Sequence, residues 1–396
     1  MRFEFATATR VIFGPGTIHE AASLSGETGK RAFVVTGSSV ERAGPLLELL
    51  GKQDMDYVTF NVSGEPTMNS ATSAVKAARQ AKCDLVISIG GGSVLDTGKV
   101  VAVMLTNGGR LEDYLEVVGA GKPLAINAAP HIAIPTTAGT GAEVTRNAVL
   151  GVPEHKVKVS MRSPFMLPRL AVIDPELTYS MPPDVTASTG LDALTQLLEV
   201  YVSCQSNPLT DGLCREGLCR AGRSLRRAYE ACPERSRRNG DDHNAREDMA
   251  MASLFGGLGL ANARLGAVHG FAGPLGGMYS APHGVICARL LPFVIDANVQ
   301  ALRRRDKASP ALAKYDQAAR LLTGNDSAKA ADAVKWVRRL CLRLKVPPLE
   351  QFGLKPQDFK IIVAKAKKSS SMKGNPIELT DDELLSIIRR ANTSTA

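Results

Sequence analysis

At 396 residues and 44% hydrophobic content the chain can fill two domains, each with its own core. Nowhere do 18 uncharged apolar residues run together, and Met1-Arg2-Phe3-Glu4-Phe5-Ala6 has no apolar stretch behind its basic residue, which argues against a membrane span and a secretory leader. Seven scattered cysteines without a CxxC pair argue against a disulfide framework or zinc ribbon and favour the cytoplasm, while the net charge of +9 leaves anionic ligands open.

Up to Met181 the chain alternates short β-branched runs with helical stretches, the pattern of a largely parallel α/β sheet. The clearest expected strands are Arg31 to Thr36, Leu85 to Ile89, His131 to Pro135 and Leu170 to Asp174. Glycine, threonine or proline follows each, as at strand ends that face a ligand crevice. Gly90-Gly91-Gly92-Ser93 opens a helix directly after an apolar strand. There, amides without side chains can approach an anion at the positive helix end, which makes these four residues a candidate pyrophosphate site without the G-x-G-x-x-G spacing. The alternative is that the glycines serve only tight packing. Pro135-Thr136-Thr137-Ala138-Gly139-Thr140-Gly141-Ala142-Glu143 is a second loop of small and hydroxyl-bearing residues suited to phosphate or ribose oxygens. Lys158, in the extended Val157-Lys158-Val159-Ser160, offers a cation for the same crevice or a solvated strand lysine.

Beyond Met181-Pro182-Pro183 strand signals vanish, and apolar residues recur at helical spacing. Asp184 is the expected cap of the first helix after the prolines. The expected division is therefore an α/β domain over 1–181 and an all-helical domain over 182–396. Arg220, Arg223, Arg226, Arg227, Arg235, Arg237 and Arg238 cluster around the stretch from Pro233 to Gly240. With Tyr229 the lone aromatic there, the reading is an exposed basic connector and no nucleic-acid partner. Asp192 and Gln196, four apart on one helix, project toward one point and could share an ion. His269 and His283 flank a glycine-rich stretch that could bring two imidazoles together. His19, His131, His155 and His243 lie outside these motifs and read as surface or local structural residues.

Four blocks, in order, resemble the iron-dependent, or group III, alcohol dehydrogenase family. They are Gly90-Gly91-Gly92-Ser93-x-x-Asp96-x-x-Lys99, the Pro135 to Glu143 loop, Gly190-Leu191-Asp192-Ala193-Leu194-Thr195, and Pro282-His283-Gly284. The resemblance implies an N-terminal dinucleotide-binding α/β domain, an all-helical C-terminal domain as in dehydroquinate synthase, and a catalytic metal in the cleft between them. It implies cofactor contacts from Asp96, Thr136, Thr137, Thr140, Asn147 and Lys158, and metal ligands at Asp192, Gln196, His269 and His283, the two histidines being the catalytic candidates. It further implies a small alcohol or carbonyl substrate and a homodimer or larger homo-oligomer.

Members of the family that choose NAD tend to carry an acidic residue after the strand equivalent to Phe33 to Thr36. Here Gly37-Ser38-Ser39 stands there with Arg42 nearby, so NADP is favoured and NAD is the alternative. Gln196 stands where the family usually has a histidine ligand, and Gly273 where many members have another histidine. A carboxamide oxygen is a weaker donor than imidazole, so for Fe²⁺ or Zn²⁺ affinity should fall and the preference should drift toward zinc or a harder ion. Three readings of this site stay open: a weak metal centre, metal-free hydrogen bonding to the carbonyl as in maleylacetate-reducing relatives, and histidines that merely satisfy polar groups at a helix interface. A lyase like dehydroquinate synthase and an inactive dinucleotide-binding protein are the alternatives to hydride transfer.

Overall fold

The computed structural model describes residues 2–155, 157–232 and 242–393. The chain divides into two compact units, Ala6–Tyr179 and the residues from Ser180 onward, and the residues before Ala6 group with the latter.

In the first unit the elements are β1 (Arg10–Phe13), α1 (Ile18–Gly26), β2 (Arg31–Thr36), α2 (Gly44–Gly51), β3 (Asp56–Asn61), α3 (Met68–Gln80), β4 (Leu85–Gly90), α4 (Gly92–Thr106), β5 (His131–Pro135), β6 (Asn147–Val152), β7 (Val157–Arg162) and β8 (Leu170–Ile173). Six strands form one parallel sheet in the order β1-β8-β5-β4-β2-β3. A parallel sheet needs cover on both faces, and strand alternation provides it. In β2, Ala32 and Val34 face the cluster holding Ala21, Leu46 and Leu50, whereas Phe33 and Val35 face Ala74, Val100 and Leu150. The chain leaves β2 for the β3 edge, then returns to place β4 on the other side of β2. This reversal opens a crevice at the carboxyl ends of β2 and β4, the usual ligand position in open α/β sheets.

The hairpin β6–β7 is antiparallel and separate from the main sheet. The two edge strands β1 and β3 and the hairpin strand β6 carry weak sequence signals. Asp56 to Asn61 is largely exposed, so no buried run marks it. At the other end, Leu170 to Ile173 is strand but Asp174 is not: its carboxylate caps the next turn by accepting from the Glu176 amide at 3.0 Å and from the Ile18 amide at 3.2 Å.

The second unit is helical, with α5 (Pro183–Val202), α6 (Pro208–Glu230), α7 (His243–Asn262), α8 (Ala267–Met278), α9 (His283–Arg305), α10 (Pro310–Thr323), α11 (Ala330–Arg343), α12 (Phe359–Lys367) and α13 (Asp381–Asn392). Asp184 does not cap α5. Pro183 occupies the first helical position, where its missing N–H costs nothing, and Asp184 sits exposed in the first turn, still favourable to the helix dipole. The helix α9 is long and apolar enough to cross a bilayer, yet most of it is buried as the core helix of this unit. Arg289 on it reaches the carbonyls of Ala391 and Thr393 at the chain's end.

The basic stretch on α6 is largely neutralised locally. Arg220 and Arg223 share Asp248 at 2.9 and 2.7 Å, and Arg227 pairs with Asp242 at 2.8 Å. Arg235, Arg237 and Arg238 of the expected connector lie outside the described residues. All seven cysteines are free thiols.

Candidate metal cage and candidate phosphate loops

Three loops follow adjacent strands of the parallel sheet. Thr36 and Ile89 stand in register across β2 and β4, Gly90 pairs with Pro135 on β5, and the Thr136 amide donates to the Gly90 carbonyl at 3.0 Å. Gly37-Ser38-Ser39, Gly90 to Ser93 and the Thr136 to Thr140 loop are thereby set side by side at the carboxyl end. Gly91 precedes α4 with extended backbone and no side chain caps the helix, leaving amides of its first turn to an external acceptor. Gly92 lets the neighbouring loop approach closely, because a Cβ there would lie 2.9 Å from Thr140 Cγ2 and 3.0 Å from its Oγ1 and the threonine side chain would have to shift. Thr136 is buried, while Ser38 and Ser39 are exposed.

Asp96 and Lys99 lock this arrangement from behind. Lys99 is fully buried and gives its three protons to Asp96 Oδ1 at 3.0 Å, Thr145 Oγ1 at 2.8 Å and the Asn147 carbonyl at 2.7 Å. Asp96 Oδ2 accepts from the Val149 amide at 2.9 Å, which ties α4 to the β6–β7 hairpin. Lys158, on β7, pairs with Glu65 at 2.6 Å. His131 is a buried structural residue whose Nε2 meets Ser88 Oγ at 2.8 Å.

Glu143 ends the hydroxyl-rich loop as a buried carboxyl. Burial pushes its pKa up to about 7, against its own backbone amide and Lys99. Its folded pKa lies above its unfolded value, so the folded chain holds the extra proton. Stability is therefore full below the ordinary range near 4.5 and is lost as pH rises through about 7. His131 acts oppositely, since burial and then Lys99 hold it at about 3, so its contribution is lost as pH falls below 6.5. It is common to wild type and variant and cancels between them. Glu143→Gln is expected to gain on the order of 1–3 kcal/mol over the wild type at pH 8 relative to pH 5, read by denaturant unfolding at both pH values. A difference between the two proteins that does not change with pH would refute the buried-proton account.

In the helical unit, α5 presents Asp192, Gln196 and Glu199 along one stripe, four and seven residues apart, and all three are buried. Glu199 does the positioning. Its Oε1 accepts from the Val268 amide at 2.6 Å, and its Oε2 accepts from the His269 amide at 3.3 Å and from His269 Nδ1 at 2.7 Å. Asn375 Oδ1 accepts from the Ala267 amide at 3.1 Å. A carboxylate and an amide from elsewhere in the unit thus cap α8, satisfying its first free amides with charge of the favoured sign. The bond at Nδ1 also fixes the ring, so Nε2 is left to face inward.

His283 enters from the first position of α9. His269 Nε2 lies 3.4 Å and His283 Nε2 3.6 Å from Asp192 Oδ1. Cys287, one turn along α9, places Sγ 3.6 Å from His283 Nε2 and 3.8 Å from His269 Nε2. One ligand atom from each of Asp192, His269, His283 and Cys287 lies within 4.8 Å of the other three. Gln196 is held beside the cage, its Nε2 donating to Asp192 Oδ2 at 3.2 Å.

Burial works against charge on these groups and is outweighed. His283 and His269 hold Asp192 below the usual carboxylate range, and Cys287 and Asp192, joined at His269 by Glu199, hold both imidazoles above theirs. Despite the close imidazoles, Asp192 Oδ1 is buried without a hydrogen bond, as is Gln196 Oε1. A buried carboxylate oxygen with no donor is costly unless a cation supplies the missing partner. Carboxylate, imidazole and sulfur donors of this kind suit a divalent transition metal, so the residues fit the group.

The sequence reading named Asp192, Gln196, His269 and His283 but missed Cys287 and Glu199. Each carried a signal: Cys287 follows His283 by four on one helix, and Glu199 continues the Asp192–Gln196 stripe.

The chain matches the family description "Iron-containing alcohol dehydrogenase" over residues 8–175 and "Fe-containing alcohol dehydrogenase family, C-terminal" over residues 186–392. It is 33% identical to "Alcohol dehydrogenase 4" of Saccharomyces cerevisiae over 385 residues, 96% of each chain. It is likewise 33% identical to "1,3-propanediol dehydrogenase" of Klebsiella pneumoniae over 404 residues, 98% of each. Among solved structures, that of 1,3-propanediol oxidoreductase superposes with a TM-score of 0.88 at 32% identity, covering 99% of this chain and 100% of the other. Sulfoacetaldehyde reductase from Bifidobacterium kashiwanohense, solved in complex with NAD+, gives 0.86 at 26% identity and covers 100% of both chains. The chain belongs to the iron-containing alcohol dehydrogenase family.

Proposed function

We propose that this enzyme transfers a hydride between NADP(H) and a small alcohol or its aldehyde or ketone, with Fe²⁺ or Zn²⁺ held by Asp192, His269 and His283 beside Gln196. The observation that carries the reading is the buried, unpartnered Asp192 Oδ1 facing two imidazole nitrogens. A bound divalent ion would supply Lewis-acid polarisation of the substrate oxygen. Glu199 holds His269 in the ring orientation that leaves Nε2 for the ion, and Gln196 steadies the Asp192 carboxylate through Oδ2. The uncapped α4 amides of Gly91, Gly92 and Ser93 bind the pyrophosphate. Thr136, Thr137 and Thr140 supply hydroxyls to phosphate or ribose, and Asn147 and Lys158 contact the cofactor, whereas Asp96 acts by holding Lys99 and β6 behind the loop.

NADP is the preferred form, because Gly37-Ser38-Ser39, with both serines exposed, carries no carboxylate to repel a 2′-phosphate. Replacing Ser39→Asp is expected to move the NADPH-to-NADH ratio of kcat/KM toward NADH by about 1–3 kcal/mol, on the order of 10–100-fold. An unchanged ratio in paired assays would place the discriminating contact elsewhere. We read the chain as cytoplasmic, supported by its unpaired thiols, and, from the family resemblance, as a homodimer or larger homo-oligomer.

The deciding assay is NADPH oxidation against a panel of small aldehydes with anaerobically purified enzyme, before and after chelation and with Fe²⁺ or Zn²⁺ added back. Activity lost on chelation and restored by one ion is the expected result. Activity indifferent to chelation would remove the metal from the reaction, and no turnover with any carbonyl would remove the hydride-transfer reading.

A further inference from the structure

We infer that Cys287 supplies the fourth ligand of this metal centre as a thiolate, in the place that Gln196 leaves unfilled, and that the sulfur makes the site selective for Zn²⁺ over Fe²⁺. The inference rests on the metal reading above and goes beyond it in the identity of a ligand and of the ion.

The distances carry it. Zinc binds oxygen and imidazole nitrogen at about 2.0–2.1 Å and thiolate sulfur at about 2.3 Å. In a tetrahedron those lengths set N···O edges of about 3.3 Å and N···S edges of about 3.6 Å. The cage has N···O separations of 3.4 and 3.6 Å and N···S separations of 3.6 and 3.8 Å. Four of the six edges among the donors from α5, α8 and α9 thus already stand close to tetrahedral lengths, and the other two are within 4.8 Å. Gln196, by contrast, is engaged through its amide nitrogen with the other Asp192 oxygen, which turns Oδ1 into the cage. It is a positioning residue for the carboxylate.

Binding breaks the Cys287 S–H bond and forms an S–metal bond. The proton leaves to solvent, and no redox change accompanies the step. A soft thiolate favours zinc, whereas a site of carboxylate and imidazoles alone accommodates iron as well.

The test uses the full-length chain, stripped of metal under anaerobic reducing conditions and loaded with Co²⁺, whose spectrum reports its ligands. Wild type should show ligand-field bands together with a near-ultraviolet thiolate-to-cobalt charge-transfer band. Cys287→Ala should weaken Co²⁺ and Zn²⁺ retention by on the order of a hundredfold, since even outer-shell partners cost 10–100-fold when removed. The double variant Cys287→Ala, Gln196→His should regain metal through a third imidazole, without the charge-transfer band and with a smaller preference for Zn²⁺ over Fe²⁺ in competition dialysis. Ligand-field bands without charge transfer in wild type would overturn the thiolate ligand and leave the metal reading standing. Failure of wild type to retain either Co²⁺ or Zn²⁺ would overturn both. The wild-type spectrum decides even if neither variant folds.

Discussion

Asp192→Asn is expected to strip the metal from the enzyme and lower kcat/KM for aldehyde reduction by on the order of a thousandfold or more. The size follows from what the carboxylate does. It is the one carboxylate among the four donors and lies buried on α5 with Oδ1 unpartnered between two imidazoles. Asparagine keeps the volume but presents a neutral oxygen or an N–H, and the latter repels a cation. A bound Lewis acid contributes several kcal/mol to charge stabilisation in the transition state, and each 1.36 kcal/mol is a factor of ten in rate. Metal content per chain and steady-state kinetics check both halves of the expectation, with the melting transition showing that the variant is folded. If Asp192→Asn kept activity within about tenfold of wild type and ignored chelators, the metal would play no part in the reaction and the His269 and His283 rings would be acting on the carbonyl by direct hydrogen bonding.

What could be read from the sequence divides along physical lines. The central strands β2, β4, β5 and β8 are buried on both faces and read as continuous apolar runs, which is why they stand out. The edge strand β3 and the hairpin strand β6 lack such runs, because one of their faces is open or half-buried. Asp192 and His283 were legible because each sits in a short motif with a chemical reason for its residue types, and His269 because it stands with His283 at the ends of a glycine-rich stretch. Glu199 was hidden for a different reason. Its partners on α8 lie 69 and 70 positions away, and no local pattern announces that one carboxylate will serve both as a helix cap and as the support of an imidazole. Cys287 was legible in principle, at helical spacing from His283. A lone cysteine on an apolar helix, however, reads as core until the fold sets an unpartnered carboxylate beside it. Asp96 adds a bond that its motif does not announce: besides standing in the expected cofactor block, it braces the loop through Lys99 and Val149.

Gly284→Ala should be among the most damaging single-methyl changes in the helical unit, and for a reason that joins packing to chemistry. A Cβ at Gly284 would lie 2.0 Å from the Ser188 carbonyl oxygen and 2.6 Å from its carbon. Both are backbone atoms of α5, so no rotamer can yield and the helices themselves must part. In helical geometry the Ser188 carbonyl accepts from the amide four residues on, which is Asp192. Separating α9 from α5 therefore disturbs the turn that carries the carboxylate while it carries His283 away from it. Overpacking of this kind costs about 1–3 kcal/mol or more, and each kcal/mol lowers the melting temperature of a unit this size by about 2–4 °C. Gly212→Ala is the matched control: a Cβ there, inside α6, meets nothing within 4 Å. The same methyl should stabilise that helix by about 0.5–1 kcal/mol. Thermal melts of the two variants should shift in opposite directions, and only Gly284→Ala should also lose metal and activity at temperatures where it remains folded. Equal melting temperatures for Gly284→Ala and wild type would mean that the first turn of α9 does not rest on the α5 backbone, and the positions assigned to His283 and Cys287 would fall with that contact.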